Sequence, residues 1–317
     1  MPTLTASARS AIQTGAGAHV AENFVPLLRA GIDEVFQRVL ETPREGDAFF
    51  EKRSTTKIRE YFQPVVGIGN ISRSRDADYI PHDEKSLGFD HSITNYIYRG
   101  RVGHEKSLLE TEQYGQIGDN QEELAQAAVR TMELVMADVF NRGLGASGAP
   151  FLCEDGMYLI DSARPNPHPA AGTWSNLEST GAISAAGIYQ AQLNAAAYRN
   201  ERGHLHPLKV EMLVIRPQDE EDVWEIVNSD KRPSDAMNAK NFQFGRFQYR
   251  VYNYLTTPSV FYKLSGIKNE LYFQERVSPE FTTWQGADNP DMYWQRVRFA
   301  MGVGALRPAC WRGALTE

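Results

Sequence analysis

The sequence predicts a mixed α+β fold, and three stretches carry that prediction. Residues 183–229 read as a helix, an apolar strand and a second helix. Residues 120–142 read as one long helix, apolar along two adjacent ridges. The run YWQRVRFAMGVGAL, from Tyr293, alternates with the two-residue period of a strand. None of the three holds a nucleophile, a phosphate loop or a metal-ligand cluster. The clearest units of this chain are scaffold.

Taken in order, residues 1–24 are rich in Ala, Gly, Ser and Thr without a sustained period, and are expected to form an arm that orders against a partner. Pro26 opens a helix over residues 26–41, with Leu28, Ile32, Val35, Phe36, Val39 and Leu40 as its stripe and Pro43 beyond its end. From about Ser54 to Ser107 the chain predicts a long β-hairpin. TTKIREYFQPVVGIGNIS forms one side, SITNYIYRGRVGHEK the other, and a polar tip holding Pro81 and Gly88 lies between them. A lone hairpin is marginally stable in water and its edges invite pairing, so this one is expected to lie on another subunit.

Asn120 with Glu123 resembles a capping box for the long helix, and Gly143 stands where a left-handed C-terminal residue belongs. About 22 residues at 1.5 Å rise make a rod of about 33 Å. Leu124, Ala128, Thr131, Val135 and Val139 form one ridge; Ala125, Val129, Met132, Met136 and Phe140 form the other. FLCEDGMYLI then predicts a short hairpin around Asp155-Gly156.

Ser184 can cap the next helix, on which Ile188, Ala191, Ala195 and Tyr198 recur at helical spacing. Lys209–Ile215 is apolar on both faces, which suits a strand covered from both sides. Pro217 opens a helix with Asp219, Glu220, Glu221 and Asp222 in its first turn and Val223, Ile226 and Val227 as its stripe. FQFGRFQYRVYNYL and FYKLSGIKNELYFQERVS are strand-like. In the last strand Val297, Phe299, Met301 and Val303 point one way, while Arg296, Arg298 and Ala300 point the other.

The bulk numbers exclude several classes. A net charge of −7 over 317 residues argues against a protein that grips nucleic acid through a basic surface. No apolar run approaches the length of a membrane span. The N-terminal stretch lacks the apolar core of a signal peptide, so the sequence predicts a protein that is not exported, with Cys153 and Cys310 as reduced thiols.

Several candidate sites compete with bland readings, and the bland reading is preferred each time. Gly143, Gly145 and Gly148 spell a dinucleotide-loop motif, but a helix precedes them and Pro150 follows, so they mark a helix end. His204 and His206 have metal-ligand character but no partner cluster, and His82-Asp83-Glu84 sits in the polar hairpin tip. Cys153 lies between carboxylates that oppose thiolate formation, and Cys310 adjoins Trp311. The acids Asp219–Asp222 are accounted for by the helix dipole. The expectation is no catalytic residue, no cofactor-binding residue and no metal ligand.

The order of elements resembles the major capsid (major head) proteins of tailed bacteriophages, which share the Hong Kong phage capsid, or Johnson, fold. The residues that carry it are Asp155-Gly156, RPNPHP, ISAAGIYQAQLNAAAYRN, VEMLVIRP, QDEEDVWEIVNS and the terminal QRVRFAMGVGALRPACWRGAL. The resemblance implies an N-terminal arm over residues 1–53 and an extended loop over 54–107 that lies on a neighbour. It implies a peripheral domain from 108–164 plus 263–317, with the spine helix 120–142 and a sheet that includes Leu271–Ser278 and Tyr293–Leu315. Residues 165–262 would be the axial domain. Family members often carry a removable scaffolding segment; here a separate scaffolding protein and earlier processing both stay open. Lys85 lies near the loop tip, but no partner for a covalent crosslink is identified.

The expected function is a major capsid protein that self-assembles into pentamers and hexamers of an icosahedral viral head enclosing double-stranded DNA. Its expected partners are itself, a portal, and scaffolding or decoration proteins, with only non-specific proximity to the DNA and no membrane. The expected location is the virion, after assembly in the host cytoplasm. Two alternatives stand beside it: the shell of a cellular nanocompartment, and a soluble α/β enzyme using Cys153 or His204 and His206.

Overall fold

A computed structural model describes residues 38–68, 71, 85, 87–105, 114–145, 151–167, 172–178, 181, 183–231, 239–286, 289 and 291–316. The chain divides into two compact units. One comprises Met1–Pro43, Tyr98–Arg130 and Pro279–Phe299; the other comprises Arg44–Ile97, Thr131–Ser278 and Ala300–Glu317. Of the predicted helix over 26–41, residues 38–40 are described and are helical; the rest lies outside the described residues.

Four short and long strands build the first sheet: β1 (Glu51–Ser54), β10 (Leu271–Gln285), β11 (Met292–Ala305) and β4 (Tyr96–Glu105), in that order. β1 runs parallel to β10, Glu51 opposite Tyr272. A second sheet takes β12 (Trp311–Leu315), β9 (Ser259–Ser265), β7 (Lys209–Ile215) and β8 (Gln248–Val251) in that order. Two small sheets pair β2 (Arg59–Phe62) with β3 (His91–Thr94), and β5 (Arg164–Pro165) with β6 (Thr173–Trp174). Among the described residues the long helices are α1 (Tyr114–Asn141), α2 (Ala185–Ala196) and α3 (Glu220–Asn228).

The predicted long hairpin is corrected. Among the described residues, four of each arm pair, Arg59–Phe62 against His91–Thr94, with one further bridge from Val65 to Leu87. The second arm then leaves the hairpin: Tyr96–Glu105 becomes β4 and joins the first sheet beside β11. An alternating strand satisfies either partner equally well, so periodicity could not choose between them. Most of the predicted tip lies outside the described residues.

The long helix begins at Tyr114, six residues before the predicted start, so Asn120 and Glu123 are helix interior and not a capping box. Its 28 residues span about 42 Å. Both predicted ridges are packed: Leu124, Ala125, Ala128, Met132, Met136, Val139 and Phe140 are buried, and Val129, Thr131 and Val135 are half-buried. The left-handed glycine at its end is Gly145 (φ 94°), not Gly143. The Asp155-Gly156 turn forms, with Gly156 at φ 76° and its amide on the Cys153 carbonyl at 2.9 Å, but no strands flank it.

Ser184 caps α2 as predicted, accepting the Gly187 amide at 3.1 Å. Ile188, Ala191 and Ala195 pack with Leu213, Ile215, Val223, Ile226, Val227, Val260 and Tyr262 in one apolar core. The strand Lys209–Ile215 forms with the predicted bounds, but only Leu213, Val214 and Ile215 are buried on both faces. A register shift between Val210 and Met212 bulges the strand at Glu211, and the residues before it remain partly in solvent. Val223, Ile226 and Val227 are the buried stripe of α3. Asp219 is not in that helix; it closes a 3-10 turn at Pro217–Asp219.

The terminal segment is also corrected. Tyr293–Ala305 lies in the first sheet, but Trp311–Leu315 turns at Pro308–Cys310 and pairs antiparallel with β9, Trp311 opposite Lys263. Trp311 is thereby sealed in an aromatic group. Phe140 meets Phe49, Phe261, Tyr252 and Trp311 edge-on, with centroids 5.1–6.3 Å apart. Edge-to-face pairs of this kind add about 0.5–1.5 kcal/mol each beyond area burial.

Candidate assembly surfaces

The candidate catalytic groups have the following surroundings. Cys153 and Cys310 are both buried, and burial pushes each thiol up to about 12. Around Cys153 the loss of solvent outweighs Arg164, whose charge acts in the opposite direction. His206 reaches the Gly266 carbonyl through Nε2 at 3.1 Å, and the His204 amide donates to Asn200 Oδ1 at 2.9 Å. Among the described residues no group of three His, Cys, Asp or Glu side chains is placed to hold a metal. His82, Asp83, Glu84 and Gly148 lie outside them.

The acids at Asp219–Asp222 divide. Asp219 is buried and takes the Arg216 guanidinium through both oxygens, at 2.7 and 3.1 Å. Glu220, Glu221 and Asp222 stay in solvent at the start of α3. A cleft of about 410 Å³ is lined by Tyr198, Glu201, His206, Lys268 and Arg307 among others. Its guanidinium is already held by Glu270 at 2.9 and 3.1 Å and by Glu201 at 2.5 Å, which leaves no free cation at Arg307 for a ligand.

What the structure offers instead is surface suited to contact. On the hairpin, Ile58, Tyr61, Val65, Ile68 and Leu87 stand in solvent, Tyr61 at 74% exposure. Its base is fixed. Asn95 donates to the Lys57 carbonyl at 3.0 Å and to Gln274 at 3.4 Å, and Gln274 donates to Glu60 at 3.2 Å. Rigid backbone at the base and apolar side chains along the arms suit an element that lies on something else.

A second exposed group gathers at α2. Tyr189 and Leu193, one turn apart, are solvent-facing. Phe242 meets Tyr189 edge-on at 5.5 Å, with Arg246 over the Phe242 ring at 4.0 Å and Phe244 exposed nearby in sequence. The adjacent β8 is an edge strand of its sheet. Aromatic residues with an arginine beside an open strand edge are the composition of an interface core.

This topology and length match solved capsid structures. The chain is similar to the capsid protein of a native GTA particle (TM-score 0.58, 10% identity, 87% of this chain and 92% of that one). It is similar to that of Cyanophage P-SCSP1u (0.57, 10%, 85% and 86%). It is also similar to the mature capsid of bacteriophage PhiM1 (0.57, 10%, 87% of each). No family model and no curated protein matches the sequence. The fold is therefore the tailed-phage major capsid fold that the order of elements led one to expect.

Proposed function

We propose that this chain is a major capsid protein, a structural and not a catalytic component, that assembles into pentamers and hexamers of an icosahedral head around double-stranded DNA. The observation that carries this reading is the shared fold, which spans 87% of the chain and 92% of its GTA counterpart. The exposed apolar hairpin and the aromatic group at α2 support it, since both are surfaces that one chain alone leaves wet. Residues 165–262 would be the axial domain, to whose sheet β12 adds a strand. Residues 108–164 with 263–317 would be the peripheral domain, 1–53 the arm and 54–107 the loop on a neighbour.

The mechanism is geometric. Each contact is modest, but a closed shell repeats it, so association is multivalent and strengthens steeply once several contacts form together. The acidic balance of the chain suits a container that does not hold its genome tightly. Among the described residues no helix is long and apolar enough to cross a membrane.

Electron microscopy of the purified chain tests this. Closed shells, rings or tubes are expected, and nuclease-protected double-stranded DNA in particles recovered from producing cells. A uniform monomer or dimer that carries a metal or cofactor overturns the shell reading, and a protein cargo in place of nucleic acid overturns the viral one. Deleting residues 63–90, and so sparing His91–Thr94 and β4, is expected to leave a soluble subunit that forms no stable shells.

A further inference from the structure

Glu133 of α1 is 3% exposed, and no cation is paired with it among the described residues. Its Oε2 accepts the Gly46 amide at 3.2 Å. A side chain at Gly46 would come within 2.8 Å of Met136 and 3.1 Å of that oxygen, so the 3-10 turn Gly46–Ala48 sits hard against the helix. The residue before the turn is held as well. The Glu45 carboxylate takes the Asn253 amide at 2.9 Å and Asn253 Nδ2 at 2.7 Å. Phe49, just beyond the turn, is fully buried among Phe140, Tyr252 and Trp311. The segment thus has a fixed end at Phe49, while two carboxylates hold down its other end at Glu45–Gly46.

The hydrogen bonds around Glu133 call for a proton. Tyr252 Oη lies 3.2 Å from Glu133 Oε2 and 3.2 Å from the Glu133 main-chain carbonyl. Burial and the Glu133 charge both push the phenol pKa up, so Tyr252 keeps its single proton and can fully satisfy one of these acceptors. With a proton on Glu133, the carboxyl donates to the phenol oxygen and the phenol donates to the carbonyl. Oε2 still has a lone pair for Gly46. Without that proton, two acceptors share one hydrogen, and a charge is buried with no counter-ion. Burial raises the Glu133 pKa; the Gly46 amide, the Tyr252 hydroxyl and the Glu45 backbone oppose the rise, and the Glu45 charge adds to it. The other charged groups nearby are engaged among themselves. Arg44 pairs with Asp47 at 3.1 Å, and Lys52 joins Asp47 at 2.7 Å. The Tyr254 ring lies 6.1 Å from that of Tyr252. On α1, Asp138 is held by Arg142 at 2.6 Å, and Arg130 is exposed.

We propose that Glu133, Tyr252 and Glu45 form a proton-operated latch that clips the chain at Glu45–Gly46 to α1, shut while Glu133 carries its proton and loosened once the proton leaves. The opening is local, because Phe49 stays in the core and the turn swings from it. In the open turn Glu133 meets water and returns to its ordinary value of 4.5, so the shut form binds the proton more tightly. The latch is therefore firm below about pH 4.5 and weakens as pH rises through the raised value. What it controls is how firmly the chain that enters at Gly46 is anchored. This goes beyond the shell reading and does not depend on it, since every group belongs to one subunit.

The test is hydrogen–deuterium exchange of the purified, unassembled full-length chain from about pH 5 to about pH 9, corrected for the intrinsic rate. Peptides covering residues 44–48 read the latch, and peptides from α2 serve as the reference. Relative uptake at 44–48 is expected to rise several-fold across that range in wild type. Glu133→Gln keeps an acceptor and supplies a permanent donor, so its uptake is expected to stay low at every pH. Glu45→Gln removes the neighbouring charge and is expected to move the rise to lower pH. Trypsin cleavage after Arg44, relative to an exposed site, is expected to quicken with pH in wild type and not in Glu133→Gln. Where circular dichroism shows Glu133→Gln unfolded, Glu45→Gln and the wild-type cleavage decide alone. Flat wild-type uptake overturns the proposal, as does an unchanged rise in either folded variant. A rise shared equally by α2 is global unfolding and overturns it too. Whether the chain forms shells alters none of these readings, so the two failures are distinguishable.

Discussion

Arg164 is buried completely, and its guanidinium holds the Asp155 carboxylate at 2.8 Å. The same guanidinium donates to the Tyr158 and Leu159 carbonyls and lies over the Trp174 ring at 5.5 Å. One side chain thus ties the Asp-Gly turn to the β5–β6 pair. Asp155 serves twice, since its Oδ1 also accepts the Met157 amide at 3.1 Å.

Asp155→Ala is expected to destabilise the subunit by about 3–5 kcal/mol, because it strands a buried charge. Urea unfolding of the unassembled subunit measures this. A loss below about 1 kcal/mol, the range of a surface pair, would show that water reaches the guanidinium.

Glu154 gives a pH dependence. Burial pushes its carboxyl from 4.5 up to about 8; Arg307 acts against this shift, and Glu270, Glu201 and Asp155 add to it. The folded state therefore keeps a proton that the unfolded chain has released. The contribution is complete below about pH 4.5 and is lost as pH rises through about 8. Glu154→Gln should flatten the decline in stability between those limits, and an unchanged slope in denaturant melts would rule the assignment out.

At the hairpin base, a side chain at Gly302 would stand 2.6 Å from the Thr94 carbonyl and 2.8 Å from Asn95 Oδ1. The obstacle is backbone, which cannot rotate away. Gly302→Ala is expected to cost about 1–3 kcal/mol and to expose the hairpin to proteolysis sooner than in wild type. Equal cleavage rates would mean that the hairpin base tolerates the shift.

Ser184→Ala removes the side-chain acceptor for the Gly187 amide at the start of α2. A loss of about 0.5–2 kcal/mol is expected, with Ser184→Asp close to wild type. Thermal melts of the three chains decide it; an Asp variant as weak as Ala would argue against the cap.

The helix–strand–helix unit over residues 183–229 was nearly all legible. Ser184, the spacing of Ile188, Ala191 and Ala195, and the acid-to-apolar change across Asp219–Val227 each act within a few residues, so their outcome is local. The hairpin was legible as two arms but not in length. β4 alternates equally well for a hairpin partner or for β11, and only its neighbours decide. Glu133 shows the same limit. It lies mid-helix with the look of a solvent residue, yet it is buried and takes the Gly46 amide and the Tyr252 hydroxyl, both at 3.2 Å. Burial raises its pKa. Nothing near it in sequence announces partners so far along the chain.

The arginine-bearing face of the first sheet was half visible. Arg296 and Arg298 were placed opposite Val297 and Phe299 from the alternation alone. Arg99 and Arg101 were assigned to a hairpin arm, and their meeting with Trp294 depends on β4 lying beside β11.

The sequence by itself determined where α2 begins and which strand faces are apolar, because caps and periodicity are short-range. Only the tertiary structure decided that Trp311–Leu315 closes the sheet of β7 and β9, that Asp155 is the counter-ion of Arg164, and that arginines from two distant strands form one face. Those outcomes depend on pairing strands and charges far apart in the chain, where many partners satisfy the local pattern and burial of the whole core selects one.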